Sequence, residues 1–318
     1  MQQTLEAAHL YDEIAQRGYA EFEHHISSDQ IEELVYDYAS FSLSHPDPLP
    51  RTMSAMLPSR PDLQWHLDEL DRSKDTQHEW HKYRTNVPQI GKPDGYTNRS
   101  LQVAALESVR GIALEEEDPK EFYHYSPGTL GTMKQLHSAY GWGKIPTEVT
   151  RLHESFQPLH AKSTNLIFKI CGLIEETHPE IRNLVTPQSL RTSPVRMLFY
   201  HPSDKTEQLA GKHKDKGVMT LQIAESHKGL RVARDDDGPL VPVVRNHSKA
   251  VFFPSLRLSE VAPESMFIGK WHDVTISKEL NEGRTIPTSA LEICARYAII
   301  FFVNGSEFTQ PDKQMLHG

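Results

Sequence analysis

HKDKGVMTLQI, residues 213–223, joins two patterns in one stretch. A polar His-x-Asp pair passes through a glycine into an apolar, β-branched run of strand length. In an extended chain, residues two apart point to the same face. A strand here therefore predicts that His213 and Asp215 converge. With 18 histidines and 43 acidic residues, such pairs also arise by chance. His45-Pro46-Asp47 lies in SHPDPLP, where the prolines predict an extended loop. His66-Leu67-Asp68 lies in LQWHLDELDR, a polar helical stretch. Context, and not the tripeptide, singles out residues 213–215.

The surrounding sequence extends the strand pattern. After Pro194 come VRMLFYH (195–201), GLRVA (229–233), VPVV (241–244), KAVFF (249–253), SMFIG (265–269) and RYAIIFFVN (296–304). Turn-forming segments such as HPSDK and DDDGP separate them. Many short strands in this arrangement predict a β-sandwich or a barrel-like jelly roll.

The chain before Pro194 reads mainly as helix. Ser28-Asp29 can cap a helix whose apolar positions Ile31, Leu34, Val35 and Tyr38 recur at helical spacing. Val149, Leu152, Phe156, Leu159, Leu166, Ile170 and Leu173 keep that period between Thr147 and Thr177, and Pro179 ends it. Residues 57–100, with Pro, Gly and Asn, predict loops with short helices. The fold class is α+β: a mainly helical part over 1–190, a β core over 191–306 and a tail over 307–318. A length of 318 residues allows one large domain or two; we read a single domain, 1–318.

Composition narrows the function. A net charge of −9 argues against the basic face that a nucleic-acid partner requires. The longest apolar run, AIIFFV (298–303), suits a buried strand and is too short to span a bilayer. The N-terminus, MQQTLEAAHLYDE, has no basic region followed by an apolar core, so a cytoplasmic protein is expected. Cys171 and Cys294 read as small buried hydrophobes, not as a disulfide or a metal pair. No obligate protein partner is evident.

A further histidine, His272 in GKWHDV, completes a set. Two imidazoles and one carboxylate are the ligands of the facial triad that holds non-haem Fe(II) with positions left open. The same ligands also suit Zn2+ in a hydrolase.

Taken in order, these segments resemble the isopenicillin N synthase-like, Fe(II)/2-oxoglutarate-dependent dioxygenase family. RMLFYHP is similar to the strand ending in Tyr-Pro before the first ligands. HKDKGVMTLQ is similar to the His-Thr-Asp-Gly ligand strand. GLRV, PLVPV and KAVFF resemble the strands that follow, WHDV the segment of the distal histidine, and RYAIIFFVN the last core strand. Upstream, RGYAEFEHHIS (17–27) and DPKEFYHY (118–125) resemble the family's Gly-Phe-Phe…His-Gly segment and its Asp-x-Lys-Glu element. The resemblance implies a double-stranded β-helix (jelly-roll) core with long supporting helices. It implies His213, Asp215 and His272 as ligands of Fe(II), and Arg296 as the partner of the far carboxylate of 2-oxoglutarate. The implied reaction uses O2 to oxidise an unactivated C–H bond of a small-molecule substrate, by hydroxylation, desaturation or cyclisation, and releases succinate and CO2. Related halogenases vacate the carboxylate position, which Asp215 fills here, so halogenation is disfavoured.

Arginine suits a carboxylate because its planar fork offers two parallel donors. Arg296 also opens an apolar strand, where a charge without an anion is costly. Three departures from the family pattern stand beside this. The usual Arg-x-Ser is Arg296-Tyr297-Ala298, and losing the hydroxyl's charge-assisted bond costs about 1.5–3 kcal/mol. Arg296 lies farther beyond His272 than is usual, with residues 277–292 reading as an inserted loop. Arg284 lies nearer, though in the turn-like NEGRTIP. The position before Pro202, often tyrosine, is His201, which either donates to the co-substrate or is a structural histidine. Tyr200, one residue off, is expected on the other face. These departures keep open an oxidase of the same fold that uses no 2-oxoglutarate. Lys212, Lys214 and Lys216 alternate with the ligands and are expected to face away from the metal. Residues 57–100 and 277–292 are the candidate substrate-covering loops.

Overall fold

The computed structural model describes residues 2–44, 95–98, 120–140, 143–200, 208–244, 246–275 and 296–306. The decoy pairs at 45–47 and 66–68, and His201, Arg284 and Cys294, lie outside them.

Helices α1 (Gln2–Arg17), α2 (Ser28–Ser44), α3 (Thr129–Tyr140) and α4 (Thr147–Glu175) are the long ones, and α5 (Ile181–Leu184) and α6 (Pro187–Arg191) are single turns. The apolar positions that predict α4 are all buried, so its stability comes from packing a continuous apolar stripe. The α2 cap is one residue earlier than expected. Ser27 Oγ accepts from Gln30 N, and Gln30 Oε1 accepts from Ser27 N, a reciprocal capping box.

Eleven strands are described: β1 (Ala20–Glu23), β2 (Gly95–Asn98), β3 (Lys120–Tyr125), β4 (Val195–Tyr200), β5 (Gln208–His213), β6 (Met219–Glu225), β7 (Leu230–Ala233), β8 (Leu240–Pro242), β9 (Lys249–Pro254), β10 (His272–Thr275) and β11 (Arg296–Val303). They form a seven-stranded sheet, β1-β9-β6-β11-β4-β3-β2, and a four-stranded sheet, β5-β10-β7-β8. All the pairings are antiparallel.

Alternation along the strands divides the core in two. On β4, Val195, Met197 and Phe199 join the helix-side cluster with Phe156 and Ile170 of α4. Leu198 and Tyr200 join a second cluster with Leu209, Leu230, Val232 and Val274 of the smaller sheet. The larger sheet is therefore covered on both faces, which is why its strands read as unbroken apolar runs.

One expectation is corrected. SMFIG is not a strand: Ser265–Phe267 forms a 3-10 turn. Beside the helices of the N-terminal part, β1, β2 and β3 extend the larger sheet. KEFYHY is buried at every position, its Lys, Glu and His included, so no exposed face marks it as a strand. Cys171 is buried in α4, with burial pushing its thiol up to about 12, as expected of a structural cysteine. Among the described residues, no helix is long and apolar enough to cross a membrane.

Candidate metal centre

His213 closes β5 and His272 opens β10, and the two are paired residues of adjacent antiparallel strands. Their ring centroids lie 4.3 Å apart. Asp215 is not in the strand, as its spacing suggests, but in the turn between β5 and β6. Its carbonyl accepts from Leu256 N at 3.0 Å, which anchors that turn. The turn brings the carboxylate to both rings: His213 Nε2 is 3.7 Å from Oδ1, and His272 Nε2 is 3.6 Å from Oδ2. One ligand atom from each of the three residues can be chosen so that all lie within 4.8 Å of one another.

The surrounding hydrogen bonds prepare these atoms for a cation. His213 Nδ1 meets Gly211 O at 2.7 Å, and His272 Nδ1 meets Lys270 O at 3.1 Å. Each carbonyl takes a proton from Nδ1 and so directs the lone pair of Nε2 inward. Thr220 Oγ1 donates to Asp215 Oδ2 at 2.5 Å and lies 3.0 Å from Ser255 Oγ. Burial, and then repulsion from His272, lowers the pKa of His213, against the opposing pull of Asp215. The neutral, ligating form is thereby favoured.

The triad opens on one side and is closed on the other. The side chain of His213 is 47% exposed, against 6% for His272 and 12% for Asp215. Its open side faces a cavity of about 420 Å³ lined by Lys120, His124, Arg196 and Asn304. Behind the triad is a smaller space of about 40 Å³, lined by Tyr200, Gln222, Phe253, Val274 and Arg296.

Arg296 is 1% exposed. Its Nε donates to His227 O at 3.0 Å and its Nη2 to Glu225 Oε2 at 2.5 Å. Glu225 Oε2 also accepts from Gln222 Nε2 at 2.8 Å. The buried Nη1 has no hydrogen-bond partner. A buried donor left unpaired is costly, and this one belongs to a residue lining the space that holds the triad. The donor set thus suits an oxygen-ligated anion beside a divalent metal.

The expected site residues are therefore largely brought together: His213, Asp215, His272 and Arg296 line one space. Lys212 and Lys214 place their Nζ atoms 5.1 and 5.0 Å from the centroid of the Trp271 ring, yet with Lys216 they line the same open cavity as His213. Tyr200 corrects the expectation that it faces elsewhere. It pairs with Arg296 across β4 and β11, and its ring lies 5.3 Å from the guanidinium. Sequence reasoning also missed Thr220, Glu225, Lys120 and Arg196. A signal for Arg196 existed, since it is a charge within the apolar run VRMLFY.

No protein-family model and no curated protein matches the sequence. Solved structures do match in fold. A 2OG-Fe(II) oxygenase family protein from Caulobacter crescentus superposes with a TM-score of 0.58 at 17% identity, covering 98% of this chain and 88% of that one. A full-length Neurospora crassa protein, solved with alpha-KG and 5-formyluracil, gives 0.57 at 14% identity, covering 98% and 84%. The dioxygenase for auxin oxidation from Arabidopsis thaliana, solved in its 2-oxoglutarate complex, gives 0.56 at 13% identity, covering 95% and 89%. The chain shares its fold with these solved structures, 2-oxoglutarate/Fe(II) oxygenases among them, and carries His213, Asp215 and His272 as its candidate metal ligands.

Proposed function

We propose that the chain is an Fe(II)- and 2-oxoglutarate-dependent oxygenase acting on an unactivated C–H bond of a small molecule, on a double-stranded β-helix (jelly-roll) core. The observation that carries this reading is the shared space in which the His-Asp-His group and the unpartnered Nη1 of Arg296 both lie. Iron and 2-oxoglutarate, when bound, supply the oxidising chemistry with O2. The chain's own residues bind, orient and exclude water. His213, Asp215 and His272 hold the metal, with both rings fixed by their Nδ1 contacts and Asp215 by Thr220. Arg296 offers Nη1 to the far carboxylate of the co-substrate. Leu230, Phe253, Val274 and Ile300 line the same space with apolar surface, which strengthens these charged contacts by keeping water out. Retention of Asp215 favours hydroxylation, desaturation or cyclisation over halogenation.

A second reading is an iron oxidase of the same fold that needs no 2-oxoglutarate. It is favoured by Glu225, which already neutralises Arg296, and by Ala298, which offers no hydroxyl. One experiment separates the two. The protein is purified without oxygen and titrated with Fe(II) and 2-oxoglutarate, and the visible band of the iron–keto acid chelate is recorded. The band is expected. Iron binding without the band supports the oxidase, and failure to bind iron removes both and leaves a Zn2+ hydrolase to be tested.

A further inference from the structure

Among the described residues, the buried and partly buried arginines have carboxylate partners, with one exception. Arg296 pairs with Glu225, and Arg231 donates from Nε to Asp273 at 2.8 Å and also from Nη2. Arg257 donates to Glu260 from Nε and Nη2 at 3.1 and 3.0 Å. Arg196 forms no ion pair among the described residues. It is held instead by neutral groups. Its guanidinium carbon lies 4.3 Å from the centroid of Phe302 and 4.7 Å from that of Phe122, and its Nε donates to His124 Nε2 at 2.6 Å. These contacts fix the plane of the fork, and among the described residues neither terminal nitrogen has a hydrogen-bond acceptor. Burial, against the pull of Asp215 and Tyr200, lowers its pKa to about 10, so the group remains a cation at neutral pH. A partly buried cation with no ion-pair partner is costly, and a fork held rigid loses little entropy when an oxyanion arrives.

Its position gives that vacancy a purpose. Arg196 lies on the inter-sheet face of β4 with Leu198 and Tyr200, and it lines both the open cavity and the inner space of the triad. Lys120, on the neighbouring β3, lines both as well but lies opposite Tyr200, level with Arg296, and Lys212, Lys214 and Lys216 line the open cavity. Arg296 lies opposite Tyr200, whereas Arg196 lies opposite Ile300. Four residues of strand therefore separate the two arginines, about 13 Å at the rise of an extended chain. The two arginines therefore enter the space about the triad from different positions along the strands.

We propose that Arg196 seats an anionic group of the primary substrate, so the substrate is a small molecule bearing a carboxylate or a phosphate. This rests on the oxygenase reading for its catalytic meaning, but the anion seat can be tested without turnover. Metal-free protein is titrated calorimetrically with benzoate, phenyl phosphate and neutral benzamide. At least one of the two anions binds, and benzamide binds more weakly by about tenfold or more; whichever anion binds tighter identifies the group. Arg196→Met weakens anion binding by about tenfold or more, and Arg196→Lys restores part of it. Thermal unfolding of each variant reports that it is folded. Equal binding of benzamide and the anions overturns the proposal. So does undiminished anion affinity in folded Arg196→Met. An anion seat confirmed in a protein that shows no iron–keto acid band supports this proposal while removing the 2-oxoglutarate reading.

Discussion

Arg296 and Glu225 form an ion pair with almost no access to water: Nη2 donates to Oε2 across 2.5 Å, and the two side chains are 0% and 2% exposed. The pair is neutral as a unit, so a co-substrate carboxylate meets one remaining donor, Nη1, and not a full positive charge. Removing the anion leaves the cation buried and uncompensated. Glu225→Ala is expected to lose about 3–5 kcal/mol in denaturant unfolding without ligand. Saturating 2-oxoglutarate should recover part of the loss, since a ligand that binds only the folded state stabilises it. Glu225→Gln should bind 2-oxoglutarate more tightly than the unsubstituted protein, read from the chelate band. Absence of both effects would show that Arg296 serves the fold alone.

Thr220 touches no metal, yet it fixes one. Its hydroxyl donates to Asp215 Oδ2, the oxygen nearer His272. Thr220→Val keeps the shape and deletes the donor. Metal affinity is expected to fall about 10- to 100-fold, measured by competition with a chromophoric chelator. Unchanged affinity would mean that the turn from Asp215 to Gly217 holds the carboxylate without help.

That turn depends on a glycine. A Cβ at Gly217 would lie 2.5 Å from Val303 O and 3.4 Å from its carbonyl carbon. Both are backbone atoms, and Val303 O already accepts from Val218 N at 2.8 Å. Neither can retreat cheaply. Gly217→Ala should therefore push Asp215 out of place, costing about 1–3 kcal/mol in stability together with metal affinity. Gly211→Ala is the control, because a Cβ there meets nothing within 4 Å and the carbonyl that receives His213 Nδ1 is retained. Equal metal affinities in the two variants would refute the argument.

The ligand set was legible because its chemistry is specific and the apolar strand β6 follows it. Other parts of the site were hidden. β3 offers KEFYHY, whose Lys, Glu and His are buried with its aromatic residues, so no exposed face marks period two. Arg196 and Arg296 are both charges in apolar runs, and the reasoning that noticed the second applies equally to the first. Glu225 lies at the end of β6, and its pairing with Arg296 arises only when β11 is laid beside β6. Long-range pairing of this kind leaves no local trace in a single sequence. Tyr200 was assigned to the wrong face because alternation was counted from His201, whereas the structure sets it by the pairing of Tyr200 with Arg296.

The helical layer sets the protein's acid limit. His153 of α4 is 4% exposed and its Nε2 lies 2.7 Å from Tyr123 Oη. Burial, with a further push from Lys134, lowers its pKa from 6.5 to about 4. Burial lowers His160, about two turns along the same helix face, in the same direction. As pH falls below about 6.5, the unfolded chain takes up protons that the folded histidine refuses, so stability drops. It is complete above pH 6.5 and is lost progressively down to about pH 4. A shift of this size is worth about 3 kcal/mol for His153 at 1.36 kcal/mol per unit. Urea unfolding at intervals between pH 7 and pH 4.5 should show the decline, and His153→Gln should flatten it while leaving the part that belongs to His160. An identical slope in His153→Gln would place the acid sensitivity elsewhere in the fold.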